Sequence, residues 1–380
     1  MKRLEKEKLL IATDYFYPHW TGIAKSILYL TKGLQKDFSI SVLTVRFEDF
    51  LKKEEMLGTV QIIRSGYLFT LSRSKYSFST LFVLLSKLGS TDVVLVNAPS
   101  ANVLPFAILT KLFRKRLLIF YQGDLILPEG MFNRVLEKIF DMSSFIAFSL
   151  ADKVSTYTED YAKSSRLLRH FLHKIHPLIL PIHIESNREK KVKKIEAFKK
   201  EKKVLFGFAG RFVEEKGFDI LFDAIPFILK KIPDAHFVFA GQQYMPYENF
   251  FQKNQELFEK VKNHITFLGL LDSEELVYFY KNIEFIVVPS RSDCFNLVQG
   301  EAMLCGTPVI ASNIPGLRHL VRESGFGVLF DSSNPHDLAE KLIEAYEKKA
   351  VIMKAKGRAL ALLDNKSNVE KIARFIAERS

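Results

Sequence analysis

Two pairs of charged residues carry the chemistry this sequence could do. Asp293 and Glu301 stand eight residues apart in EFIVVPSRSDCFNLVQGEAMLCGTPVI, residues 284–310, and Arg211 and Lys216 stand five apart in VLFGFAGRFVEEKGF. The apolar run Phe285 to Val288 predicts a buried strand of a parallel sheet, ended by Pro289. Asn296 to Leu304 then predicts a helix closed by Gly306, and Pro308 to Ala311 a second strand. Asp293 therefore falls in a loop beside a helix N-terminus, and Glu301 lies about two turns further along. Backbone N–H groups at such an end suit phosphate or sugar oxygens, because the helix dipole points the same way. A carboxylate deeper in the site suits ribose or sugar hydroxyls, which it accepts as a pair. Arg211 and Lys216 follow another expected strand, Val204 to Ala209, with Gly210 at its end. An arginine fork and a mobile lysine charge can together neutralise a diphosphate without a metal. Taken singly, each pair has a simpler reading. Asp293 would cap the helix, Glu301 would be solvated, and Arg211 and Lys216 would pair with Glu214 or Glu215.

The wider strings change that weighing. PSRSDCFNLVQGEAMLCGTPVI resembles the E-x7-E region of retaining family 4 glycosyltransferases, with Asp293 and Glu301 at its two acidic places. GRFVEEKG resembles the same family's GR…KG phosphate site, with the same spacing of Arg211 and Lys216. HITFLGLLDSEELVYFYKNIEFIVVPS resembles the run into the acidic motif, where Leu270 would lie beside the nucleotide base. The likeness covers nearly the whole chain, most strongly from Val204 to Leu329. It implies a GT-B architecture: two Rossmann-like domains, each a doubly wound parallel sheet, facing a central cleft. It also implies retaining transfer of a sugar from a nucleotide-diphosphate sugar, UDP- or GDP-linked, to an acceptor hydroxyl, with no metal and no further cofactor. Arg211 and Lys216, with Gly210, would hold the diphosphate, and Glu301 the ribose. Asp293 and the stretch Cys294, Phe295, Asn296, Leu297 and Val298 would hold the sugar. The sequence also departs from the family. Asp293 replaces a glutamate, Cys294 and Asn296 stand in glycine places, and His319 stands where glutamate is usual.

The N-terminal half is organised in the same way. LLIATDY, SISVLTV, TVQIIRS, DVVLVNAPS, RLLIFYQGD and KVSTYT predict strands, with helices between them over Ala24 to Leu34, FSTLFVLLSKLG and ANVLPFAILTKLFRK. Ligands of such sheets gather at the carboxyl ends of the strands. Gly22 lies in the first strand-to-helix turn, where a glycine lets the backbone approach a phosphate. The resembling family carries two adjacent glycines there, and Thr21 takes the place of the first. Gln122 and Asp124 follow another strand and are expected to point into the crevice. Gln122 replaces a histidine common in the family and would orient hydroxyls, while Asp124 would either contact sugar or make local turn bonds. SSRLLRHFLHKIHPLILPIHI predicts a basic helix, packed on the sheet or lying at a membrane face.

With 380 residues, 48% of them hydrophobic, the chain can bury two cores. The expected domains are 1–187 for the acceptor, a basic linker 188–203, and 204–365 for the donor, with a last helix within 366–380 returning to the first domain. The net charge of +12 divides as +8 over residues 1–187, +6 over 188–203 and −2 over 204–380. That distribution suggests an anionic membrane surface or an anionic, lipid-linked acceptor, and no nucleic-acid motif accompanies it. Two cysteines, Cys294 and Cys305, give no disulfide framework or metal-ligand spacing, and no apolar run is long enough for a signal or a membrane span. A cytoplasmic protein, free or peripheral on the inner face of the membrane and acting in cell-envelope glycan, glycolipid or polysaccharide synthesis, is the expectation. The alternatives are a non-catalytic nucleotide-sugar-binding subunit and a GT-B epimerase.

Overall fold

Short β-rich apolar runs alternate with amphipathic segments along the chain, and the runs at the centre of each sheet become strands buried on both faces. The computed structural model describes residues 6–19, 22–71, 74–127, 130–184, 188–245 and 248–379. They form two units, Met1–Pro181 with Asn365–Ser380, and Ile182–Asp364.

The first unit contains β1 (Glu7–Ala12), β2 (Phe38–Val45), β3 (Glu54–Leu57) and β4 (Val60–Ser65). A separate antiparallel pair, β5 (Phe69–Leu71) and β6 (Ser74–Tyr76), comes next. Then follow β7 (Val93–Ala98), β8 (Arg116–Tyr121), β9 (Lys153–Thr156) and β10 (Ile175–Pro177). Its sheet runs β10-β9-β8-β7-β1-β2-β4-β3, parallel throughout except for β3, which pairs antiparallel with β4 at one edge. The change of direction lies between β1 and β7. The last helix, Asn365–Ala377, packs here, with Val369 against Gly33 so closely that a Cβ on Gly33 would lie 2.7 Å from it.

The second unit is one parallel sheet of β11 (Val204–Ala209), β12 (Ala235–Ala240), β13 (Ile265–Gly269), β14 (Phe285–Val288), β15 (Val309–Ser312) and β16 (Gly327–Phe330). The order is β13-β12-β11-β14-β15-β16, so the switch point lies between β11 and β14. Phenylalanines dominate its core: Phe206, Phe212, Phe218, Phe222, Phe237 and Phe239 are almost wholly buried and meet ring against ring. Such pairs add directional contacts to the burial of large apolar area.

Two local expectations differ from the structure. The segment 188–203, expected as a linker, carries the helix Lys193–Lys200, which belongs to the second unit. Ile195 is fully buried there and Phe198 lies on His236 with ring centroids 4.1 Å apart, so two apolar anchors hold a lysine-rich helix in place. The basic stretch after Ser164 is not one helix but two short 3-10 turns, Leu168–His170 and Leu172–Lys174. Asp124 accepts from the Ser165 hydroxyl and the Arg166 backbone, which fixes an extended residue where a helix would have continued. The helix Met131–Leu150 was not expected from the sequence.

Candidate active site

The switch point of the second sheet is where two loops meet. Residues 210–217 follow β11 and residues 289–296 follow β14, at the carboxyl ends of adjacent strands, where open α/β sheets form ligand crevices. Two glycines let these segments approach. Gly217 has φ +63°, and a Cβ there would lie 2.0 Å from the carbonyl oxygen of Pro289. Gly316, on the helix Pro315–Ser324, lies so close to the second loop that a Cβ would come within 1.8 Å of the Asp293 carbonyl oxygen. Arg291 fastens the loops together. Its backbone N–H donates to Glu215 O at 2.9 Å, its Nη1 to Glu214 O at 2.9 Å, and its two arms reach the two carboxylate oxygens of Asp219 at 2.8 and 2.5 Å.

That scaffold sets the charged groups side by side. Lys216 Nζ lies 2.7 Å from Asp293 Oδ2 and 3.6 Å from Glu215 Oε1, and Arg211 Nη2 lies 2.9 Å from the same Glu215 oxygen. Arg211, Glu215, Lys216 and Asp293 are thus one connected network. Burial acts to lower the pKa of Lys216, but the carboxylates of Asp293 and Glu215 outweigh it and hold the ammonium above its ordinary value. Asp293 does not cap the following helix, Leu297–Cys305. Asn296 does: its Oδ1 accepts from the Gln299 N–H at 3.3 Å, while its Nδ2 donates to Asp293 Oδ2 at 2.9 Å. Asp293 is therefore held from two sides and aimed by them.

The other expected residues fall around this network. Phe295 and Asn296 are buried, and Leu297 and Val298 open the helix, half-buried, in the turn whose N–H groups have no intrahelical acceptor. Cys294 adjoins Asp293; burial first, and then the carboxylate, push its thiol up to about 12. Gly210 ends β11 at φ +152°. Glu301 accepts from the Tyr280 hydroxyl at 2.8 Å, and burial together with the Glu301 charge holds that phenol well above its usual range. Leu270 is 76% exposed just beyond β13, two strands away from β11. His319 is half-buried on Pro315–Ser324.

In the first unit Gly22 is the exposed first residue of the helix Gly22–Leu34. Gln122 does not stand open to a ligand. It is 3% exposed, its Nε2 donates to Asn97 Oδ1 at 2.7 Å, and Tyr157 donates to its oxygen. Asn97 in turn donates to Thr13 Oγ1 at 3.2 Å, which completes a buried polar chain across the carboxyl ends of β1, β7, β8 and β9. Both amide atoms are thus engaged inside the protein, in contrast to the expected hydroxyl-orienting side chain. Asp124 likewise binds protein groups: the hydroxyls of Tyr121 and Ser165 donate to one oxygen, at 3.1 and 2.7 Å, and the Arg166 N–H to the other at 3.1 Å.

Arg291, Asp219, Tyr280 and the capping role of Asn296 were not foreseen from the sequence, whereas Glu215 was expected as a partner of Arg211 and Lys216 and is one. Arg291 and Asp219 are 72 residues apart, and nothing local to either marks the other as partner. Asn296 carried a usable signal, since an asparagine directly before a helical run is a preferred cap.

Residues 188–359 match the model of the family described as glycosyl transferases group 1. Among curated proteins, the chain is 41% identical over 140 residues to an uncharacterized glycosyltransferase of Methanocaldococcus jannaschii, covering 36% of each. It is 33% identical over 142 residues to a D-inositol 3-phosphate glycosyltransferase of Corynebacterium jeikeium, covering 36% of this chain and 34% of that protein. The chain thus spans about a third of the length of the curated relatives it matches. Among solved structures, sucrose-phosphate synthase from Thermosynechococcus elongatus superposes with a TM-score of 0.77 at 18% identity, over 97% of this chain and 98% of that one. Anabaena HepE in complex with UDP-glucose superposes with a TM-score of 0.71 at 16% identity, over 97% and 98% of the two chains. These likenesses show the fold: two parallel-sheet domains of the GT-B class.

Proposed function

From the premise that residues 188–359 belong to the glycosyl transferases group 1 family, we propose that this chain is a retaining glycosyltransferase using a UDP- or GDP-linked sugar. The observation that carries the proposal is the network at the switch point, where Arg211 and Lys216 from one loop meet Asp293 from the next. UDP-glucose in the Anabaena structure supports a UDP-linked donor as the first to try.

In this reading Arg211 and Lys216 stabilise the diphosphate as charge builds on it, an electrostatic effect that needs no metal. The sugar's C1–O bond to phosphate breaks, a bond from C1 to the acceptor oxygen forms on the same face, and the acceptor's proton passes to the leaving phosphate. Asp293, oriented by Asn296, receives donor-sugar hydroxyls, and the first N–H groups of Leu297–Cys305 add to the same pocket. Glu301, oriented by Tyr280, receives the ribose, and Leu270 lies beside the base. Gln122 and Asp124 position the strand ends of their own unit and do not touch sugar. The basic excess of residues 1–187 supports an anionic or lipid-linked acceptor, with the enzyme peripheral on the inner face of the membrane.

The test is product analysis with UDP- and GDP-sugars and a panel of alcohol acceptors. Acceptor-dependent release of nucleoside diphosphate, with a new glycoside whose anomeric configuration matches the donor's, is expected. An isomerised nucleotide sugar without glycoside would identify an epimerase. Donor binding without turnover would identify a binding subunit.

A further inference from the structure

Helix Met131–Leu150 has two apolar faces. Leu136, Phe140, Ala147 and Phe148 are buried in the first unit. On the other side Met131, Phe132, Val135, Ile139, Met142 and Ile146 recur mostly at three- and four-residue intervals and all lie exposed, Met131 at 85% and Phe132 at 75%. That spacing is one face of an α-helix, and the stripe runs for roughly 22 Å along its axis. Scattered exposed apolar residues are ordinary, but a continuous stripe of this length marks a contact surface.

Charge selects the occupant. The charged residues exposed on this helix are Arg134 and Lys138, one turn apart and beside the stripe. The two acids are half-buried and engaged on other sides: Glu137 accepts from the Leu127 N–H at 2.6 Å, and Asp141 pairs with Arg166 at 2.7 Å. At the carboxyl-terminal end, Phe145 meets His170 with ring centroids 6.0 Å apart, and Arg169, His170 and His173 are all exposed in the short turns that follow. A twofold contact between copies through this stripe would set positive faces against each other. An anionic lipid surface satisfies both features, since acyl chains take the apolar side chains and phosphates take the flanking cations.

We propose that this face of Met131–Leu150 docks the protein on anionic membrane. It refines the membrane expectation by moving it from the basic turns alone to the long helix they adjoin. No described helix is long and apolar enough to cross a membrane, so the contact is made in the plane of the interface. The proposal concerns surface binding and does not depend on which sugar, if any, is moved.

The test is co-sedimentation of the full chain with vesicles of phosphatidylcholine alone and of phosphatidylcholine with phosphatidylglycerol. Two double variants accompany the wild type, Phe132→Glu with Ile139→Glu, and Arg134→Glu with Lys138→Glu; all four side chains are exposed, so the fold should be kept, as a melting curve will verify. The wild type should bind the anionic vesicles and not the neutral ones, and either double variant should lower the bound fraction by about tenfold or more. Wild type remaining in the supernatant, equal binding to neutral vesicles, or full binding by both variants would overturn the proposal. So would a dimer in size-exclusion chromatography that Phe132→Glu with Ile139→Glu dissociates, since the stripe would then be covered by a second copy.

Discussion

Lys216 Nζ lies 2.7 Å from Asp293 Oδ2, and this ion pair joins the loops that follow β11 and β14, adjacent strands at the switch point of the second sheet. One group would face the leaving diphosphate and the other the sugar, so the pair links the two ends of the donor. Lys216→Ala should reduce kcat/KM by about 10²- to 10³-fold, the usual cost of removing one donor aimed at developing charge. Steady-state kinetics with the donor identified by product analysis checks this.

The same pair sets a pH expectation. Asp293 and Glu215 raise the folded pKa of Lys216 above 10.5 against the effect of burial. Its contribution to stability is therefore complete below that ordinary value and is lost only as pH rises through the folded one. From about pH 6 to 9 neither stability nor turnover should break on account of Lys216. A titration break in that range that disappears in Lys216→Arg would contradict the arrangement.

Glu301 and Asp293 should separate binding from transfer. Glu301→Ala, which removes the proposed ribose contact, should weaken nucleoside diphosphate affinity about tenfold or more. Asp293→Ala should leave that affinity nearly intact and depress kcat. Calorimetric titration with UDP and GDP, set beside turnover, distinguishes the two, and unimpaired turnover in both variants would refute both roles.

Arg291 is the positioning residue that the sequence did not announce. Arg291→Ala leaves the Asp219 carboxylate without its bidentate partner and removes the side-chain bond to the Glu214 carbonyl, while the backbone N–H still reaches Glu215 O. A loss of about 1–3 kcal/mol in denaturant unfolding is expected. Arg291→Lys should recover little, because a single ammonium cannot span both oxygens and the carbonyl.

His236 gives the second unit an acid sensitivity. Burial first, then the charges of His264 and Lys203, lower its pKa to about 4, and its ring lies against Phe198 with Nε2 2.9 Å from Thr266 Oγ1. A depressed base contributes stability in full above its ordinary 6.5 and loses it as pH falls towards about 4. His236→Leu should flatten the fall in melting temperature across that window.

The legible parts of the structure were those with local signals. β11 and β14 showed as unbroken apolar runs because strands of a covered parallel sheet are buried on both faces, their alternation with helices gave a doubly wound parallel sheet, and the GT-B class came from the family resemblance of the motifs they carry. What escaped depended on distant partners or mixed periodicity. Lys193–Lys200 looked like solvated linker because Ile195 and Phe198 are its only two large apolar residues among lysines. Gln122 looked like a ligand contact because Asn97 and Tyr157, which bury it, lie on other strands or their ends. Met131–Leu150 was not read as a helix, since two apolar faces on one helix blur the single-face period.

The measurement that tests the central claim most directly is a thermal-shift panel of UDP- and GDP-linked sugars on the wild type and Arg211→Ala. A donor that binds the folded chain raises its melting temperature with occupancy. The account predicts that one nucleotide sugar stabilises the wild type and leaves Arg211→Ala unmoved. Equal stabilisation of both proteins would contradict it, because the diphosphate would then be bound somewhere other than the loops after β11 and β14.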